Sequence, residues 1–300
     1  MEPAPAGHDT VGDRVLPRLL PGRVVSSGSS LEDKRRAENF PVALRILPAA
    51  LRRDLGAVYD VARVVDDIGD ESTGDRTAEL TRFQQDLVRA WDGEPEEPVL
   101  RRLVPTIRAR GLEREPFDRL VRANLADQRI SRYATQADLE AYCELSADPV
   151  GRIVLRIFGV RSPEAERLSD LVCTALQLIE HCQDVAEDRR NGRIYLPQED
   201  LETFRAREKD LDAASANVAV RRTVAAQARK ALAKLDEGRA LVGLLHGWAR
   251  LAIAGYIAGG LATVDALRRA GWDPLTATPR PRKRDVLIHL VTLLARGGRR

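Results

Sequence analysis

Two acidic runs carry the residues best suited to chemistry: Asp66-Asp67-Ile68-Gly69-Asp70-Glu71 and Asp184-Val185-Ala186-Glu187-Asp188. If each run is helical, residues three and four apart share a face, so Asp66 and Asp70 point one way, and Asp184, Glu187 and Asp188 another. Two such faces across a cavity could hold divalent cations against a diphosphate. The plain alternative is a solvated helix face, common in a chain with 31% charged residues. Against it, both runs continue apolar stretches, Leu55 to Val65 and Leu171 to Ile179, and carboxylates that extend a buried face must be paired or bind metal. Oxygen donors with no cysteine cluster nearby suit magnesium, which is usually held by one or two carboxylates together with phosphate oxygens.

Arginines accompany the acids. Arg189, Arg190 and Arg193 follow the second run directly, and Arg63 stands one turn before Asp66. Guanidinium groups match diphosphate oxygens, although an ion pair of Arg63 with Asp66 or Asp67 is an equally fair reading. A di-iron bundle would need Glu-x-x-His pairs on two helices. None of the four histidines, His8, His181, His246 and His289, has a glutamate three residues before it, so His181 reads as a core or supporting side chain.

Long Leu-, Ala- and Arg-rich stretches predict the helices that must position these groups: Ala37–Asp70, Arg76–Ala90, Val99–Arg110, Pro116–Ala134, Gln136–Phe158, Pro163–Asp188, Ala214–Val242 and Leu244–Ala270. Turn chemistry punctuates them at Asp92-Gly93-Glu94-Pro95, Asn191-Gly192 and Gly271-Trp272-Asp273-Pro274. Strand patterns are nearly lacking, so the fold class is all-α, a helical bundle with a central cavity. With 300 residues and 44% hydrophobic content, one domain over 34–296 is expected, after a tail at 1–33 rich in Pro, Gly and Ser and before a basic end at 297–300.

A net charge of +3 from 48 basic and 45 acidic side chains gives no case for a nucleic-acid partner. Cys143, Cys173 and Cys182 lie inside helical patterns without ligand spacing and read as small buried side chains in a reduced compartment. The Pro/Gly/Ser-rich start has no apolar signal core, so a cytoplasmic location is expected. The apolar segment Leu241 to Val264 leaves only about 14 uncharged residues after Arg250, short of the roughly 20 that span a bilayer, and reads as a core helix with Gly255, Gly259 and Gly260 easing close packing. The basic stretch Arg280-Pro281-Arg282-Lys283-Arg284 reads as solvated, with peripheral contact to anionic lipid as the alternative.

At these residues the chain resembles the squalene/phytoene synthase family, which has the all-helical isoprenoid synthase fold and two Asp-x-x-x-Asp motifs. "AVYDVARVVDDIGDE" resembles the first motif region, "QLIEHCQDVAEDRRNGRIYLPQEDL" the second, and "LEAYCELSADPVGRIVLRIFG" the Tyr-Cys helix between them. The likeness runs in order from about 37 to 270. It implies magnesium carried by Asp66, Asp70, Asp184 and Asp188, and diphosphate held by Arg63 and Arg193. By the same likeness Tyr59, Tyr142, Gln177 and Tyr195 line the pocket, where Tyr59 and Tyr142 could steady a carbocation; packing with a satisfied hydroxyl or amide is their plain alternative.

Two departures narrow the branch. "ENFPVALRILP", with Glu38, Asn39 and Phe40, stands where condensing members carry a Ser-x-Ser-Phe type segment, and is similar to the bacterial hydroxysqualene synthase branch. Glu180 stands where the family commonly has asparagine, and reads as an extra metal ligand, a base or an altered diphosphate contact. The branch implies magnesium-dependent conversion of presqualene diphosphate and water into hydroxysqualene and pyrophosphate, a carbon–oxygen lyase reaction, with handover from a presqualene diphosphate synthase and to a squalene-forming reductase. The rivals are head-to-head condensation of farnesyl or geranylgeranyl diphosphate, and a non-catalytic binding module that keeps the bundle.

Overall fold

The computed structural model describes residues 47–296. Glu38, Asn39 and Phe40, the 1–33 tail and the 297–300 end lie outside the described residues. Those described form helices α1 (Ala49–Glu71), α2 (Arg76–Asp92), α3 (Pro98–Arg110), α4 (Glu115–Asp127), α5 (Gln136–Ser146), α6 (Asp148–Ile157), α7 (Pro163–Gln183), α8 (Val185–Arg190), α9 (Gln198–Thr203), α10 (Val218–Gly238), α11 (Leu241–Leu244), α12 (Gly247–Arg269) and α13 (Lys283–Arg296), with a 3-10 turn at Glu208–Asp212. Among them the β-type pairing is a single isolated bridge between Arg132 and Ile194.

The boundaries follow local chemistry. Asp75, Thr135, Ser162 and Asn217 each accept a backbone N–H at the start of α2, α5, α7 and α10, satisfying donors that the first turn leaves without partners. Gly93 and Gly111 close α2 and α3 in the left-handed conformation.

Several expected helices differ in the structure: among the described residues Ala37–Asp70 begins only at Ala49, after Pro48, and Ala214–Val242 runs from Val218 to Gly238. Gln136–Phe158 is broken at Ala147, because Pro149 has no N–H to continue the ladder and instead opens α6 in its first turn. Pro116–Ala134 stops at Asp127, where the chain turns toward the Arg132–Ile194 bridge. Pro163–Asp188 bends at Asp184 (φ −102°, ψ 17°). No Gly or Pro marks that bend, and the i→i−4 bonds continue through it: Asp184 N–H donates to Glu180 O, and Asp188 N–H to Asp184 O, both at 2.9 Å.

One apolar core is shared by α1 to α7 and α10 to α13, with Phe117, Leu80, Leu100, Leu155 and Leu178 almost fully buried. Burying one such side chain contributes about 1.5–3 kcal/mol, and Phe117→Ala would cost about 3–5 kcal/mol. A second cluster, with Cys182, Val185, Ile194, Leu201 and Val220, sits under α8, α9 and α10. The main packing pairs are α7 with α10, α12 with α13, and α6 with α7. Helix α12, 23 residues long, is apolar enough to cross a membrane by length and composition, yet 61% of its apolar window is buried in the protein. It is the core helix expected, and Gly260 faces Leu176 and Ile179 of α7 too closely for a larger side chain. The three thiols are free and buried, and burial pushes that of Cys182 up to about 12.

Candidate active site

A cleft enclosing about 890 Å³ of empty space, open solvent at its mouth included, lies among α1, α4, α5, α6, α7 and α8. Asp66 and Asp70 line it from α1; Glu180, Asp184, Glu187 and Asp188 line it from α7 and α8. The two acidic runs therefore meet in one space. The bend at Asp184 does not remove that residue from the acidic side.

Helix α4 holds the first run in place. Asn124 Nδ2 donates to Asp66 Oδ1 at 3.0 Å, and Gln128 Nε2 donates to Gly69 O at 3.0 Å. Such an approach requires glycine at 69: a Cβ there would lie 2.3 Å from Asn124 Oδ1.

Arg193 joins the two runs. Its backbone N–H donates to Asp188 O at 2.8 Å, while Nη2 lies 3.5 Å from Asp70 Oδ1 and Nη1 3.3 Å from Asp127 Oδ2. The preceding Gly192, at φ +77°, makes the reversal that an L side chain rarely adopts. Arg132 Nη1 donates to Gly192 O at 2.7 Å, and Ile194 N–H donates to Ser131 O at 3.0 Å, so the turn is clamped.

An aromatic group closes this end. The Tyr195 ring stacks on His181 with centroids 3.8 Å apart and 9° between planes, and lies 5.7 Å from Tyr142 and 5.6 Å from Tyr133. Tyr142 Oη donates to Asp127 Oδ2 at 2.9 Å. Burial first, then the neighbouring Tyr195 and Asp127, holds the Tyr142 hydroxyl well above its usual range, so it stays a neutral donor. Gln177 Nε2 lies 3.2 Å from His181 Nε2, and His181 Nδ1 lies 3.9 Å from Asp188 Oδ2.

Of the residues singled out by sequence, Asp66, Asp70, Asp184, Asp188, Tyr142, Gln177, Glu180, Arg193 and Tyr195 line this cavity. Arg63 and Tyr59 do not. Arg63 is 3% exposed and paired with Asp67 at 2.8 Å and Glu71 at 3.3 Å, because i,i+4 spacing puts Asp67 within reach of its own helix face; it braces α1. Tyr59, 7% exposed, is buried in α1. Arg189 is likewise engaged, by Asp212 and Glu208. Asn124, Asp127 and His181 line the cavity without having been assigned a site role. The signal available for the first two was their i,i+3 spacing, which puts both on one face of α4.

The fit to magnesium can be judged from the donors. Carboxylates crowd both sides and no cysteine lines the cavity. Among the described residues, no three His, Cys, Asp or Glu side chains gather closely enough to hold an ion by themselves. Carboxylate oxygens from both sides of the cavity are the hard donors magnesium takes, with phosphate oxygens completing its shell, so the donor set fits.

Next to Val150 the cavity has an apolar neighbour of about 470 Å³, lined by Val150, Val154, Leu176, Leu241, Ile253 and Tyr256 among others. A charged compartment thus lies beside an oily one.

Comparison with known proteins shows the family. The sequence profile of squalene/phytoene synthase matches residues 33–287, and the chain belongs to that family of enzymes acting on prenyl diphosphates. The hydroxysqualene synthase of Zymomonas mobilis is 33% identical over 215 residues, 70% of this chain and 71% of that protein. The presqualene diphosphate synthase of Rhodopseudomonas palustris is 36% identical over 164 residues, 54% of this chain and 58% of that protein, so the match spans less than two thirds of its length. Among solved structures, squalene synthase HpnC from Alicyclobacillus acidocaldarius superposes with a TM-score of 0.75 at 45% identity, covering 78% of this chain and 89% of that one. A dehydrosqualene synthase with a TM-score of 0.79 at 23% identity shows the shared fold.

Proposed function

We propose that the protein converts presqualene diphosphate and water into hydroxysqualene and pyrophosphate. The observation that carries the chemistry is the meeting of both acidic runs and Arg193 around one cavity with an apolar compartment alongside. The choice of branch is supported by similarity over about 70% of this chain to proteins named hydroxysqualene synthase, while the 45%-identical structure bears the name squalene synthase and supports the shared fold and family.

In this reading Asp66 and Asp70 on one side, and Asp184 and Asp188 on the other, would hold magnesium. When bound, it supplies positive charge that stabilises the departing diphosphate. Arg193, freed from Asp70, takes diphosphate oxygens with its planar donors. The ester C–O bond breaks with its electron pair leaving on pyrophosphate. The cyclopropylcarbinyl cation rearranges beside the aromatic faces of Tyr142 and Tyr195, whose ring quadrupoles favour a cation. Water oxygen then bonds to the cationic carbon and sheds its proton to the carboxylate-rich side.

The test is product analysis by mass spectrometry after incubation with magnesium and either presqualene diphosphate or farnesyl diphosphate. Hydroxysqualene from presqualene diphosphate, lost in Asp66→Asn and Asp184→Asn, is expected. Presqualene diphosphate made from farnesyl diphosphate would assign condensation instead, and no turnover of either substrate would leave a binding module.

A further inference from the structure

Helix α13 is apolar on two faces. Val286, Leu290, Leu293 and Leu294 pack inward on the core, as any surface helix requires. On its outer face Leu287, Ile288 and Val291 are 60%, 61% and 58% exposed. Among the described residues, the other large exposed hydrophobics, such as Val88, Ile130 and Val218, lie elsewhere in the chain. A helix with a second apolar face has a partner for it.

That face is held rigidly outward. Arg269 reaches Asp285 at 2.6 Å, His289 Nε2 reaches Asp265 at 2.8 Å, and Arg250 Nη2 donates to Leu294 O at 2.7 Å. These contacts pin α13 along its length to α12, so the outer residues cannot roll inward to the core.

The charge around the face identifies what covers it. Arg280, Arg282, Lys283 and Arg284 are exposed at one end of the helix and Arg296 at the other. The one acid in this stretch, Asp285, is already engaged by Arg269 and Arg284. Arg299 and Arg300 add to the excess in the sequence. A second copy of the same face would bring two basic clusters together, which like charge opposes. Residues 1–46 are close to neutral in sequence and offer no complement. We propose that the outer face of α13 and the basic segment before it dock on an anionic lipid surface, with Leu287, Ile288 and Val291 entering the headgroup boundary and the basic side chains on lipid phosphates.

The docking segment is tied to the cavity. Gln183 Nε2 donates to Pro279 O at 2.8 Å, one residue before Asp184. A lipid-bound α13 therefore holds the acidic site close to the phase in which polyisoprenoids dissolve. The docking itself does not depend on which reaction the site performs.

The experiment is flotation of the full chain, without substrate, with vesicles of phosphatidylcholine alone or with about one third phosphatidylglycerol. Anionic vesicles should carry the protein and neutral ones should not, and added salt should release it. Leu287→Ser/Ile288→Ser/Val291→Ser, which leaves the charge unchanged, should weaken binding at least tenfold. Arg280→Glu/Arg282→Glu/Lys283→Glu should weaken it about a hundredfold or more, since each basic residue at such a surface strengthens binding roughly fivefold. All six positions are outside the core, and thermal melting checks that both variants fold. Wild-type protein that stays with the lipid-free fraction would overturn the proposal, as would variants that float like wild type. A dimer by analytical ultracentrifugation that the serine variant dissociates, with no vesicle binding, would assign the face to a second copy and equally overturn it.

Discussion

Gly69→Ala sets two opposing effects against each other, and the structure decides between them. In a free helix the change stabilises by about 0.8–1.0 kcal/mol. In α1 the new methyl would lie 2.3 Å from Asn124 Oδ1 and 3.2 Å from its Cγ. Asn124 is 9% exposed and must swing away, giving up its bonds to Asp66 at 3.0 Å and to Leu120 O at 3.3 Å. A hydrogen bond to a charged group is worth about 1.5–3 kcal/mol, and crowding a packed site costs a further 1–3 kcal/mol or so. The crowding side wins, by about 1.5–5 kcal/mol. Each kcal/mol lowers the melting midpoint of a domain this size by about 2–4 °C, which calorimetry resolves. In an Asn124→Ala background the obstacle is gone, and the same Gly69→Ala should become stabilising. Gly69→Ala that stabilises the otherwise unchanged protein, or costs the same in both backgrounds, would refute the reasoning.

Other substitutions test other parts of the site and its surroundings. Tyr142→Phe removes the buried donor to Asp127 and should destabilise by about 1–3 kcal/mol in urea titration. Arg193→Gln should lower kcat/KM by about a hundredfold, with Arg193→Lys recovering little because an ammonium lacks the planar fork; steady-state kinetics on the diphosphate substrate would show it. Asp148, at the start of α6, is 4% exposed and accepts from Thr174 Oγ1 at 2.9 Å; burial, then the charge of Asp170, raises its pKa from 3.8 to about 7. Because the folded protein binds this proton more tightly than the unfolded chain, the contribution of Asp148 to stability falls as pH rises from about 4 to 7. Asp148→Asn keeps the acceptor without the charge, so its stability relative to wild type should climb across that window by an amount on the order of a few kcal/mol, read from melting curves at each pH.

The parts of the site legible in the sequence were those built from local spacing. The acidic faces at Asp66 and Asp70, and at Asp184, Glu187 and Asp188, follow from helical period alone, and the Asn191-Gly192 turn announces where Arg193 must be aimed. What stayed hidden depends on contacts between distant segments. Arg63 and Arg193 carry the same guanidinium, yet one is taken up by Asp67 on its own helix while the other crosses from the α8–α9 connection to Asp70 and Asp127. Asn124 and Asp127 acquire a role only because α4 packs beside α1. The break at Ala147 was readable from Pro149, whereas the bend at Asp184 has no local sequence cause. Helix α13 escaped because its apolar residues follow a run of five residues, four of them basic, that reads as a solvated end.

In the proposed reaction water adds to a carbon cation after pyrophosphate has left. Turnover of presqualene diphosphate in ¹⁸O-labelled water, read by mass spectrometry of both products, tests it most directly. Hydroxysqualene should bear one ¹⁸O in its hydroxyl and pyrophosphate none. Label in the phosphate, with an alcohol that keeps the unlabelled ester oxygen, would place the attack on phosphorus and contradict it.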